Sequence, residues 1–276
     1  MRRKPRRSVP VTAKTKAAPF KQTQVLISKY HTLNKRLAMA TTSKDTEACQ
    51  TIEKELEQMG GLAAYQRASL RGGNLSKGWG ASGTWVITFL KAHHAELHHG
   101  KNHNNQLLVL DIGAITGEVY VKYPFLHVES IDLNSQSPQV QKQDFFLRPI
   151  PECAIGTFDV LCLSLVVNFV GDPVKRGDML AYCRHFIKPN GLLYIVLPLP
   201  CITNSRYLNH THFIDILKIL EFELVKHHHS KKLAYYIFRY MPAGRTTFEQ
   251  VSKKIIADGK ARNNFAIALR HSPQLA

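Results

Sequence analysis

Leu107 to Gly117, LLVLDIGAITG, is the stretch whose reading decides the fold. Four apolar residues run into Asp111, then Ile112 and Gly113, and Gly117 follows. An unbroken apolar run predicts a strand buried on both faces. The glycines behind it predict a turn where backbone must come very close to something. A second strand, Val128 to Leu133, carries Asp132 near its end. A buried strand, a glycine loop and an acid closing the next strand make up the nucleotide-binding plan of an open α/β sheet. In that plan the loop approaches the ligand and the acid takes ribose hydroxyls. Only Gly113 and Gly117 are present, so the motif is not GxGxxG. A dinucleotide pyrophosphate wants the third glycine and a helix N-terminus beneath its charge, whereas a ligand without phosphate does not. The spacing moves the reading from NAD toward S-adenosyl-L-methionine, with an ordinary strand and turn as the plainer alternative.

Downstream the chain alternates strand and connection. Gln141 to Phe146, QKQDFF, predicts a short third strand ending at Asp144 and Phe145. Phe158 to Val170, FDVLCLSLVVNFV, predicts a strongly apolar fourth strand running into Asn168 and Phe169. A helix over Pro173 to Phe186, a fifth strand over Leu192 to Leu199 and a helix over His212 to Leu220 follow. Glu223 to Lys226 and Lys232 to Arg239 predict a closing antiparallel pair. The fold class is therefore α/β, a parallel core sheet with an antiparallel edge hairpin. Ligands of such sheets sit beyond the carboxyl ends of the strands, and Gly113, Asp132, Asp144 and Asn168 all fall there.

The ends of the chain differ from its middle. Twelve Lys or Arg residues precede the first acid, Asp45, and Pro5, Pro10 and Pro19 interrupt them. Residues 1–21 thus predict a disordered basic tail, consistent with nuclear or nucleolar import and equally with RNA contact. Residues 22–100 predict a helical extension, with Val25, Leu26, Tyr30, Leu33 and Leu37 near helical spacing and a Gly-Gly stop at Gly60 and Gly61. Within it, residues 71–83, RGGNLSKGWGASG, read either as a flexible connection or as a flap over the ligand. Residues 101–241 form the sheet domain, and 242–276 a basic tail with a possible short helix over Phe248 to Ile256. His93, His94, His98 and His99, like His227 to His229, sit in polar helix ends and turns, without HExxH or a nearby ligand set, so no metal is expected.

Composition bounds the rest. The 276 residues, 44% apolar, can build one large domain and an added element. No window approaches 18 apolar residues, and the basic start lacks the apolar core of a secretory signal. Five cysteines without CxxC fit reduced thiols of cytosol or nucleus. A formal charge of +17 points to a polyanionic partner, because each neutralised phosphate releases counterions.

The segments LLVLDIGAITG, ESIDLN, QKQDFF, FDVLCLSLVVNFV and KPNGLLYIVLPLPC together resemble a class I S-adenosylmethionine-dependent methyltransferase. More narrowly, the chain resembles the eukaryotic nucleolar 25S rRNA (adenine-N1) methyltransferase family over roughly residues 60–240. SLVVNFV, then Asp-Pro, then the Arg-Gly-Asp-Met-Leu helix is the most specific part. The resemblance implies a Rossmann-like sheet of seven strands, S-adenosyl-L-methionine as methyl donor, and work in the nucleolus on large-subunit rRNA or a pre-ribosomal particle; the chain is expected to be a monomer. It gives a cofactor set of Asp111, Gly113, Gly117, Asp132, Leu133, Asp144, Phe145 and Ser164. In that set Gly113 lies against the methionine, Asp132 holds the ribose, and Asp144 and Phe145 flank the adenine. Asn168 and Phe169 take the place beside the target base. The (D/N)PP(Y/F) motif of amino-group methylators is absent, which weakens an N6 assignment. A related animal family supplies the alternative, a sensor that binds S-adenosylmethionine and reports to a signalling complex without transferring a methyl.

Overall fold

The computed structural model describes residues 17–76, 79–97, 105–152 and 156–271. Most of the basic N-terminal tail, His98, His99 and Cys153 lie outside them. The helical extension comprises α1 (Ala17–Thr42), α2 (Thr46–Gln58), α3 (Gly61–Ser76), α4 (Trp79–Ala92) and α5 (His94–Leu97). Asp45 caps α2 by accepting from the Ala48 amide at 3.0 Å, and Gly60 and Gly61, both at positive φ, turn the chain into α3. The stretch 71–83 is not an open loop: its residues belong to the end of α3 and the start of α4, apart from 77 and 78. Glycine weakens a helix by roughly 1 kcal/mol, but at Gly83 it is needed, since a Cβ there would lie 2.3 Å from Val119.

The sheet follows as β1 (Leu107–Ile112), β2 (Leu126–Asp132), β3 (Gln141–Lys142), β4 (Phe158–Ser164) and β5 (Ile187–Pro198). It closes with β6 (Phe222–His229) and β7 (Leu233–Tyr240), and α6 (Pro173–Tyr182), α7 (Pro200–Thr203) and α8 (His210–Ile219) lie between strands. The order is β3-β2-β1-β4-β5-β7-β6, parallel through β5, with β7 antiparallel to both of its neighbours. This is the expected seven-stranded sheet. The third and fourth strands are shorter than expected. Phe145 to Leu147 form a 3-10 turn, and the chain leaves the sheet at Ser164, so Asn168 and Phe169 sit in a turn. His227 to His229 belong to β6 and not to a polar turn.

Both faces of the sheet are covered, which is why its central strands read as unbroken apolar runs. Val109, Val160, Cys162 and Tyr194 face α4 and α5, and Leu110, Leu161, Leu193 and Ile195 face α6 and α8. Residues 242–271 form no helix over Phe248 to Ile256. They run as a strap across the second face and bury Phe248, Phe265, Ile267 and Leu269 in its core. Buried Glu221, which forms an ion pair with Arg184, accepts from the Ala243 and Arg245 amides and fixes where the strap begins.

Candidate functional site

A cleft of about 360 Å³ opens at the carboxyl ends of β1, β2 and β4, where the chain switches from one side of β1 to the other. That volume suits a small-molecule site, and that switch point is where open sheets bind ligands. Of the expected residues, Gly113, Asp132, Leu133, Asp144, Phe145, Ser164 and Phe169 line it together. Asp111, Gly117 and Asn168 do not.

Gly113 has φ +77° and donates its N–H to the Ile131 carbonyl at 2.8 Å. A Cβ built there would stand 2.6 Å from Val166 across the cleft, so only glycine leaves the cradle open. Asp132 is nearly buried, and its Oδ1 accepts the Asn134 amide at 2.7 Å and Nε2 of Gln66 at 3.0 Å. Gln66, 3% exposed on α3, also donates to the Asn134 carbonyl at 3.0 Å and accepts from Asn134 Nδ2 at 2.6 Å. Every hydrogen-bonding position of this amide is used, so it fixes the carboxylate. Asp144 accepts from the Phe146 amide at 2.9 Å, starting the 3-10 turn that presses Phe145 against Tyr182 and Phe186.

Asp111 alternates onto the opposite face from Ile112, beside Tyr120 and Cys162. Burial, reinforced by the charge of Asp132, pushes its carboxyl up to about 7. Gly117, φ +70°, closes the loop beneath the cleft, and a Cβ there would meet Val140 at 3.0 Å.

The loop after β4 carries the least ordinary geometry. Leu165 holds φ +61°, a strained conformation for a bulky residue, costing of order 1–3 kcal/mol and typical of functional sites. Three residues on, Oδ1 of Asn168 is buried and has no hydrogen-bond partner among the described residues. An unpaired buried carbonyl costs about 1–3 kcal/mol. The Phe169 ring lies 4.6 Å from His31 and 4.9 Å from Tyr65, which stacks on Tyr30 at 4.7 Å. Burial pushes the His31 imidazole down, so it is neutral at neutral pH.

Arg176 holds this loop from behind. It donates to the Val170 carbonyl at 2.7 Å, to Gly171 at 3.2 Å, and to Ala266 of the strap at 2.7 Å. A Cβ on the next residue, Gly177, would lie 2.0 Å from the Ala268 carbonyl. The Arg-Gly pair in the sequence signature is thus where the strap locks against α6, behind the loop.

The sequence missed Tyr30, Tyr65 and Gln66 as site residues. The tyrosines read as apolar helix contacts, and nothing local ties Gln66 to an acid 66 residues away. Among the described residues no group of three or more His, Cys, Asp or Glu side chains could hold a metal ion. His93 bonds the Phe89 carbonyl at 2.9 Å, and His210 and His229 each bond the Tyr236 hydroxyl at 3.0 Å.

Comparison with known proteins finds sequence relatives over most of the chain. A profile of the family described as 25S rRNA (adenine(2142)-N(1))-methyltransferase, Bmt2, matches residues 50–267. The 25S rRNA adenine-N(1) methyltransferase of Schizosaccharomyces pombe is 34% identical over 88% of this chain and 89% of its own. The Saccharomyces cerevisiae 25S rRNA (adenine(2142)-N(1))-methyltransferase is 30% identical over 87% of this chain and 70% of its own. Among solved structures, Burkholderia thailandensis 1,6-didemethyltoxoflavin-N1-methyltransferase, with bound S-adenosylhomocysteine, superposes with a TM-score of 0.42 at 15% identity. That match covers 64% of this chain and 89% of the other.

Proposed function

Since the chain belongs to the 25S rRNA (adenine-N1)-methyltransferase family, we propose that it transfers a methyl group from S-adenosyl-L-methionine to N1 of an adenine in large-subunit rRNA, during ribosome biogenesis. The observation that carries this reading is a single cleft joining a nucleoside-type rim, Gly113 and Asp132, to a strained loop presenting Phe169. The residues fit the cofactor: the Gly113 cradle is closed by any side chain, and Asp132 is an oriented acceptor for two ribose hydroxyls. When bound, S-adenosylmethionine supplies an electrophilic sulfonium methyl. Asp144 and Phe145 would border its adenine, and Ser164 and Leu133 line the remaining walls of the cleft.

The adenine N1 lone pair lies in the ring plane and takes the methyl directly, forming the N1–C bond as the S–C bond breaks. No proton leaves first, so no catalytic base is required. The chain's task is alignment. Phe169 stacks the base, which must be unstacked from rRNA at a few kcal/mol, and returns ~1–3 kcal/mol. Asn168 stands beside Phe169 but outside the cleft lining, so its buried, unpaired Oδ1 would meet the exocyclic amino hydrogen of that base only once the base enters and the loop turns. This acceptor also favours the positive charge the ring acquires. The chain acts as a monomer in the nucleolus, on rRNA or an assembling particle.

The test is mass spectrometry of nucleosides after incubating the protein with S-adenosylmethionine and in vitro transcribed or pre-ribosomal large-subunit rRNA. 1-Methyladenosine is expected. Cofactor binding with no methylated product on either RNA would instead support a sensor. Asn168→Ala should lower kcat and leave cofactor affinity intact.

A further inference from the structure

The cofactor cleft occupies only one end of the sheet's carboxyl rim. Beyond β4 the rim continues over β5, β7 and β6, and three segments distant in sequence meet there. The first is the β6–β7 tip. Pro198, the last residue of β5, pairs with Leu233, and the Leu199 amide donates to the Lys232 carbonyl at 2.7 Å. The tip therefore stands beside the end of β5, with β6, β7 and β5 spanning about 14 Å from β4 at ordinary strand spacing. It exposes Lys231 and Lys232.

The second segment is α7 and the turn after it, which leave the same end of β5. The third is the strap, laid along that turn. Asn204 donates to the Ala261 carbonyl, Asn263 to the Pro200 carbonyl, and the Ile256 amide to the Arg206 carbonyl. The strap exposes Lys254 and Lys260 here. It then continues to Ala266 and Ala268, which bond Arg176 and the Pro173 carbonyl behind the Asn168–Phe169 loop.

Among the described residues none of these four lysines forms an ion pair, and the acid of this part of the strap, Asp258, is taken by Arg206. Two lysine pairs thus frame the rim between them, and the strap joins that rim to the target loop. Neutralising carboxylates would be expected on a merely solvated face.

Resting on the reading of rRNA as substrate, we infer that this rim, framed by Lys231 and Lys232 on one side and Lys254 and Lys260 on the other, holds the backbone phosphates of the rRNA strand flanking the target adenine. The cleft takes one nucleotide, and the lysines hold its neighbours by charge without reading sequence. A base drawn out of a folded RNA needs such a grip, because the strand must be fixed while the base is extruded.

The test compares full-length Lys231→Gln/Lys232→Gln and Lys254→Gln/Lys260→Gln with Lys91→Gln/Lys122→Gln. The last pair flanks Tyr123 at the amino end of the sheet and removes the same charge. Affinity for large-subunit rRNA fragments is measured across salt concentrations, with S-adenosylmethionine affinity alongside. Each rim pair should weaken RNA binding about tenfold at 0.15 M salt and make the log–log salt slope shallower by about 1.4. Cofactor affinity and the control pair should hold. Unchanged binding by the rim pairs, or an equal loss by the control pair, overturns the inference. Methyl transfer with silent lysines sinks the surface alone. Lysine-dependent binding without any methyl transfer sinks the assigned reaction alone.

Discussion

The rim of the sheet and the helices that roof it are built in different ways. The rim is anchored in two hydrophobic cores that cover both sheet faces, and its residues come from strand ends a few positions apart. The roof, α1 to α3, keeps a small core of its own around Leu33, Ala40 and Ile52. It meets the cleft through Tyr30, Asn34, Leu62, Tyr65 and Gln66. Local opening costs less where few apolar contacts must be broken. On the proposed function, the roof would therefore be the part to lift for a nucleoside, and the rim the part that stays to bind it.

Asp132→Ala tests the rim most severely. A charged acceptor contributes about 1.5–3 kcal/mol for each hydrogen bond, so losing two ribose bonds should weaken S-adenosylmethionine by at least about a hundredfold in calorimetry. Unchanged affinity would remove Asp132 from the site and move the division between rim and roof elsewhere.

Asp111 tests what the rim costs. Its folded pKa, about 7, lies above its unfolded value. The folded protein therefore holds a proton that the unfolded chain releases, and stability falls as pH rises from about 4 to about 7. The full span corresponds to roughly 4 kcal/mol. Asp111→Asn should flatten this part of the profile in denaturant unfolding at pH 5 and pH 8, with its largest gain over the unsubstituted protein at pH 8. A parallel decline in the variant would place the titrating group elsewhere.

Phe169 and Tyr65 touch across the boundary, so their paired substitution sharpens the contrast. Phe169→Ala should lower kcat/KM for rRNA by about 5- to 100-fold through lost stacking, with cofactor affinity unchanged. Tyr65→Ala should cost less, since its ring supports Phe169 from the roof. The reverse order would make the roof the base-binding wall.

How much of this could be read in the sequence follows the same boundary. The cradle and the acid were legible because LLVLDIG and ESID are contiguous and strand periodicity is strict. The fourth strand was read too long: LVVNFV is as apolar as the strand before it, and nothing local announces the positive φ of Leu165. The Arg-Gly signature was visible, but its cause was not, because Arg176 answers a carbonyl 90 residues away. The C-terminal segment read as a basic tail since its apolar residues are sparse: Phe265, Ile267 and Leu269 alternate as in a strand, but over only five residues, and Phe248 stands far before them. The structure buries the whole run 265–269, with Phe248 beside it in the same core, without forming a strand.

Gln66 gives the smallest expected effect and divides the two regions most sharply. Its amide spends one donor on Oδ1 of Asp132, which the Asn134 amide also holds. If this contact orients the carboxylate for the ribose, Gln66→Ala should weaken S-adenosylmethionine by about 3- to 10-fold, the worth of one neutral hydrogen bond. If the roof instead competes with the ribose for that oxygen, removing the amide should tighten binding. The geometry favours orientation. Both bonds fall on the same oxygen, and the other three positions of the amide are filled by Asn134 and Gln136, so it has partners to keep whether or not a nucleoside is bound. Calorimetry on this one variant reads the sign. A tighter cofactor would turn the roof from a support into a gate that must be displaced before the rim can be used.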